Sequence, residues 1–376
     1  MKEFFTYEQQ IEKLKGDGLI ISDENFAADE LKIEGYYNLI NGYSPTFKID
    51  NRFVKDITFE HIKALYDFDK SLRSIVYKYT SVIECHIKAL IAHEFSRMHG
   101  VDEKTYLSPD SFSDRATYAD HVKRLIETCR DTITDALNKN SNKYRGYIDH
   151  NYRVHNHVTM WVLIRALSFG TTSIFYKSMK DDEKVVISDY YRLKPEQLVN
   201  MLDVVVQFRN IVAHGERTFC ARLPKTRLST NLNIADKLSI PKNENGANKY
   251  GRSDFLALLI CCKYLLPPVD LASFINELDV ALDTLQKKTN SVNVCKNKNA
   301  NGIKNKFLDD ITQTENNGRI KSAILKKARK QKPSCLFPIL FPGIFFYCRD
   351  KFVVRRTRFF KQRSGAVEAL FSQNFG

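Results

Sequence analysis

Between Asp56 and Phe95 the chain runs for 40 residues without a proline or a glycine. Apolar side chains recur there at Ile62, Leu65, Phe68, Leu72, Ile75, Tyr79 and Val82, then at His86 with Ile87 and at Leu90. Those steps of three and four are the period of an α-helix, whereas a strand would alternate every second residue. One long amphipathic helix, straight or kinked, is the expected element here.

The rest of the sequence agrees. A short helix is expected over 6–15, stopped by Gly16 and Gly18. A second starts near Asp23 and leads into EGYYNLINGYSPTF, where Tyr36, Tyr37, Tyr43 and Phe47 offer apolar area for a packed junction. Further helical spacing covers 115–138, around Val122, Leu125, Ile126 and Ile133. The polar stretch 139–156 reads as a loop, and Val158 to Met179 as an apolar helix interrupted at Gly170. Pro195 opens another helix that runs to His214, with Gly215 as its stop. Residues 221–252, rich in Asn, Lys and Ser, read as a loop; helices follow over 254–266 and 270–288, split by Pro267 and Pro268. No convincing strand alternation occurs, and the expected class is all-α.

Charge divides the chain. The formal net charge is +14, but residues 291–376 hold 18 Lys and Arg against 5 Asp and Glu, leaving 40 against 39 for the remainder. The body is nearly neutral, and a basic, partly disordered tail follows it. The expected organisation is an N-terminal helical module over 1–50, a helical domain over 51–290 and the tail over 291–376. No pair of the eight cysteines has the C-x-x-C spacing of a zinc or redox site, so buried free thiols in a reducing cytosol are expected. The opening MKEFFTYEQQ lacks the apolar run of a signal peptide. The most apolar stretch, Cys335 to Cys348, carries Pro338, Pro342 and Gly343 and is too short to span a bilayer. A cytoplasmic protein without stable membrane insertion is the expectation.

Chemistry concentrates in Pro195 to Gly215, PEQLVNMLDVVVQFRNIVAHG. At ~100° per residue, Leu198, Met201, Leu202, Val204, Val205, Val206, Phe208, Ile211 and Val212 form a broad apolar arc. Opposite lie Asn200, Asp203, Gln207, Asn210 and His214, short hydrogen-bonding groups instead of the Lys and Glu of an ordinary wet face. A helix enclosed on most sides and open along one line would carry such a strip. Arg209 falls inside the apolar arc, where an unpaired guanidinium is costly. Two readings follow: Arg209 is a core-edge cation held by Glu84 or another carboxylate while His214 merely ends the helix, or the two are functional.

The run R-N-I-V-A-H resembles the signature of the HEPN superfamily: Arg, a polar residue, about three more residues, then His. Five blocks occur in the order seen in Abi-like proteins, the AbiD/AbiF-type abortive-infection proteins of bacteria. They are TYEQQIEKLKGDGLIISDE, EGYYNLINGYSPTF, LYDFDKSLRSIV, WVLIRALSFGTTSIFYKSM and FRNIVAH, and the likeness covers about residues 4–220. Arg165 stands where those proteins often have an acidic residue, and Gly215 where a second His often follows.

The resemblance implies a HEPN-type helical bundle and an endoribonuclease of phage defence that needs no metal or other cofactor. Its catalytic residues would be Arg209, Asn210 and His214. RNA brings its own nucleophile in the 2′-hydroxyl. His214 would exchange protons near neutrality, Arg209 would hold phosphate oxygens, and Asn210 would orient the imidazole or touch a phosphate. The expected products are a 2′,3′-cyclic phosphate and a 5′-hydroxyl. Arg209 and His214 are ~140° apart on an ideal helix, with a rise of ~7.5 Å between them. One copy makes a poor pair, so a homodimer with a composite site is expected. The alternative is a non-catalytic scaffold for RNA, such as a small regulatory partner RNA; a third reading is a protein-interaction component.

Other candidates are weaker. His86 and His93 are expected at core or interface positions, and His150, His155 and His157 in a solvated loop or against RNA. Trp161 and Phe169 are expected in the core. There is no P-loop, G-x-G-x-x-G or G-x-S-x-G motif.

Overall fold

The computed structural model describes residues 3–228 and 250–290, together with 242, 244, 246 and 248. The tail after 290, with its apolar stretch and Cys295, Cys335 and Cys348, lies outside them, as does most of 229–249. The fold is all-α. Its only paired strands among the described residues are β1 (Lys48–Ile49) and β2 (Arg52–Phe53), a small antiparallel hairpin with Lys48 opposite Phe53.

The described residues fall into two compact units: 3–72 with 242, 244, 246, 248 and 272–290, and 73–228 with 250–271. In the first, α1 (Tyr7–Gly16) starts at Thr6, whose hydroxyl accepts from the Gln9 N–H while the Gln9 side chain accepts from the Thr6 N–H. Its Ile11 and Leu14 are buried, and it packs on α2 (Glu24–Glu34). Gly35, at φ +78°, ends α2, and a π turn and a 3-10 turn carry the chain through Tyr37–Phe47. Tyr43 and Phe47 are buried as expected; the Tyr43 hydroxyl donates to the fully buried Asp69 at 2.7 Å. Tyr37, in contrast, is 76% exposed.

The long helix is present as α3 (Phe59–His99). Its C-terminal half belongs to the second unit with α4 (Glu103–Tyr106), α5 (Ala119–Leu137), α6 (Gly146–His155), α7 (Met160–Leu163), α8 (Phe169–Ser178), α9 (Asp181–Tyr190), α10 (Pro195–Ala213) and α11 (Phe255–Leu265). A further helix, α12 (Pro268–Asn290), follows Pro267. Phe95, Phe112 and Phe175 meet edge-on or tilted at 4.8–5.4 Å between ring centres and form an aromatic knot within this unit.

Three expectations change. Residues 146–155 are helical, because α6 needs little apolar surface: Ile148 is buried, and Asp149 receives the Tyr144 hydroxyl at 2.9 Å and Arg153 at 3.0 Å. The break in the apolar segment lies before Gly170. Ser168 caps α8 by accepting from the Thr171 N–H at 3.1 Å, and Gly170 is already inside that helix. Trp161 is 49% exposed, whereas Phe169 is fully buried. Met160, Leu163, Ile164 and Leu167 take the buried stripe at helical spacing, and Trp161 falls beside it. Of the described cysteines, Cys129, Cys261 and Cys262 are buried, and Cys85 and Cys220 are exposed.

Candidate functional site

Helix α10 is packed against α8, α9 and α11, which explains the breadth of its apolar arc. Leu198, Met201, Leu202, Val204, Val205, Val206, Phe208 and Val212 are buried, and Ile211 is half-buried. Each such side chain contributes roughly 1.5–3 kcal/mol. Pro195 stands at the first turn, and the Gln197 side chain accepts from the Lys194 N–H at 2.9 Å.

The other end has a defined geometry. His214 is the C-terminal cap; its N–H bonds to the Asn210 carbonyl at 3.0 Å. The Gly215 N–H reaches Val212 at 3.2 Å and the Glu216 N–H reaches Ile211 at 3.0 Å. With Gly215 at φ +71° this is a Schellman motif, which fixes where His214 sits. His214 is exposed.

Arg209 is half-buried, with its side chain 28% accessible. Its Nη2 lies 3.8 Å from a Glu84 carboxylate oxygen, and its Nη1 donates to the Asn210 amide oxygen at 3.4 Å. Both distances are at the long end for such contacts. Among the described residues Nε has no partner. Glu84 is shared: its other oxygen accepts from Lys88 Nζ at 2.7 Å, and Lys88 also donates to the Leu167 carbonyl at 2.7 Å. One carboxylate therefore faces two cations, and the guanidinium is steadied without being neutralised or saturated.

The polar strip divides along its length. Asn200 donates to the Arg227 carbonyl at 2.8 Å and holds the following loop. Asp203 accepts from the Ser173 hydroxyl at 3.2 Å; burial pushes its carboxyl up, with Lys177 and Ser173 opposing. Gln207, Asn210 and His214 form the open end: Gln207 and His214 are exposed, and Asn210 is half-buried. Arg209, Asn210 and His214 thus gather at one helix end, while Asn200 and Asp203 serve packing. The sequence offered Glu84 only as one candidate carboxylate for Arg209; the tie from Lys88 to Leu167 was not legible at all, because it bridges segments 79 residues apart.

The remaining histidines lie elsewhere. His86 is half-buried between Tyr190 and Tyr191, 3.1 Å from the Tyr191 hydroxyl, and His93 is exposed beside Glu94. Among the described residues no group of three or more His, Cys, Asp or Glu side chains is placed to hold a metal ion, and no helix is long and apolar enough to cross a membrane.

An all-α protein in which Arg-Asn-x-x-x-His closes an enclosed helix is the class these features define. The chain belongs to the Abi-like protein family, whose profile matches residues 29–220, from α2 to just past α10, and includes Glu84, Arg209, Asn210 and His214. Membership gives it a role in abortive infection, a bacterial defence against phage. No curated protein and no solved structure matches it.

Proposed function

We propose that this chain is a HEPN-type endoribonuclease that cuts RNA in the cytoplasm of an infected cell without a metal. One observation carries the reading: an exposed histidine caps a largely buried helix five residues beyond a half-buried guanidinium held only by long contacts to Glu84 and Asn210. His214 takes the proton of a 2′-hydroxyl, whose oxygen attacks the adjacent phosphorus to close the cyclic phosphate as the bond to the 5′-oxygen breaks; the imidazolium then gives its proton to that leaving oxygen. Arg209 stabilises the charge gathered on the non-bridging oxygens, a role suited to its planar, permanently charged fork. Asn210, in contact with Arg209 at 3.4 Å, orients that fork. Because the two groups project ~140° apart on one helix, the productive pair is composed of Arg209 from one protomer and His214 from a second.

His214→Ala is the first test. The side chain is exposed, so its melting temperature should match the parent, while cleavage of single-stranded RNA should fall by about 10²- to 10⁴-fold. A variant that cuts as well as the parent would remove His214 from the site. RNA binding by the parent without cyclic-phosphate ends would point instead to the non-catalytic scaffold.

A further inference from the structure

The near-neutral body hides a local imbalance. Residues 138–180 contain seven Lys and Arg but a single carboxylate, Asp149, a net of +6. Asp149 is already engaged by Tyr144 and Arg153, and of the cations Lys143 is paired with Asp135 at 2.8 Å, outside the stretch, which is followed by Asp181, Asp182 and Glu183. The stretch also carries two aromatics that remain wet, Tyr147 at 39% and Trp161 at 49% exposure. Half-exposure of a tryptophan is a large apolar area left to water.

These groups are arranged. The Arg165 guanidinium lies 5.3 Å from the centre of the Tyr147 ring, a cation–π distance, and Arg165 is itself exposed. Helical turns continue past α7, with Ile164 N–H on Met160 at 3.0 Å and Ala166 N–H on Leu163 at 2.9 Å. Trp161 and Arg165, four residues apart, therefore share a side of that segment. The guanidinium thus lies against the phenol and shares a side of its segment with the indole. The same segment is pinned toward the candidate site: Leu167 is held by Lys88, Lys88 holds Glu84, and Glu84 faces Arg209.

We propose that Trp161, Arg165 and Tyr147 form a stacking platform for unpaired bases of the RNA strand, with the surrounding cations on its phosphates. The proposal rests on the RNA reading given above and adds to it where the strand lies and why it must be single-stranded. Every base has a π-face, so such a platform tolerates any sequence, whereas a duplex hides its faces. An acidic peptide would answer the charge but offers no planar rings to stack.

Trp161 is the only tryptophan in the chain, so its emission reports on this surface alone. The experiment uses the full-length chain carrying His214→Ala, which preserves the strand. It is titrated with a single-stranded RNA dodecamer, a duplex of equal length and polyglutamate, and binding is read in parallel by anisotropy of labelled RNA. Single-stranded RNA should quench Trp161, and the duplex and polyglutamate should do so far less. Arg165→Ala, Tyr147→Ala and Trp161→Ala should each weaken strand binding about 5- to 150-fold, with Trp161→Phe restoring most of it. Arg165→Ala should also reduce the salt slope by about one. Bound RNA that leaves the emission unchanged, absent RNA binding, or equal quenching by polyglutamate would overturn the platform. Should any one variant unfold on melting, the others and the quenching itself still decide. Quenching with no cyclic-phosphate ends from the parent protein would keep the platform and remove the nuclease reading. His214-dependent cleavage without quenching would do the reverse.

Discussion

His61, at the head of α3, is 2% exposed, and its Nδ1 accepts the Thr58 N–H at 3.1 Å. Burial holds its imidazole below the usual range, with Glu60 and the Thr289 backbone pulling the other way. The folded-state value is thus below the unfolded one, near 6.5, so the unfolded chain binds the proton first as pH falls. The resulting penalty is absent well above ~6.5 and grows below it. Relative to His61→Gln, the parent should lose stability between pH 7.5 and 5.5, read as the shift in urea midpoint; equal shifts in both proteins would contradict the account. His86 has the same sign, again because burial disfavours its charged form. Arg209 shows the complementary lesson. A cation in an apolar arc was visible by angle alone, but its partial pairing with Glu84, which Lys88 shares, is a matter of distances.

At the scale of elements, the helices with apolar stripes were legible. In α5 the buried residues Val122, Leu125, Ile126, Cys129, Ile133 and Ala136 fall at the spacing that announces a helix. Helix α10 was bounded by Pro195 and Gly215 because both residues act locally, through a fixed φ and a tolerated positive one. Helices α6 and α9 were not legible. The buried face of α9 includes Glu183, Lys184 and Ser188; Glu183 accepts from the Lys180 N–H at 3.3 Å, but its other partner, His99 at 2.5 Å, is 84 residues distant. The Gly215 prediction belongs here. A Cβ at Gly215 would meet nothing within 4 Å, so Gly215→Ala should cost about 1–2 kcal/mol for backbone conformation alone. Urea unfolding measures it. Since the same turn seats His214, cleavage should fall along with stability, whereas Gly16→Ala, at another open glycine without positive φ, should leave cleavage unchanged.

For the whole molecule, a composite site makes a prediction that no single-chain site does. Arg209→Ala and His214→Ala are each expected to be inactive alone. Mixed and allowed to exchange protomers, they should recover cleavage, because a mixed dimer joins an intact Arg209 of one chain to an intact His214 of the other. Cyclic-phosphate ends in the mixture, and none in either parent preparation, is the expected result; persistent silence in mixtures shown to contain heterodimers would place both groups in one chain.

Periodicity and local stops settled the all-α class, the long helix and the place of Arg209, Asn210 and His214 at the end of α10, because helix formation and capping depend on neighbours within a few residues. Tertiary contact alone decided that Trp161 stays wet while Phe169 is buried, and that Asn200 bonds to the Arg227 carbonyl and Asp203 to the Ser173 hydroxyl. It also decided that Arg209 meets a carboxylate already held by Lys88. A sequence records which side of a helix a residue occupies; what stands opposite that side is fixed by segments tens of residues away, and burial and pairing depend on them.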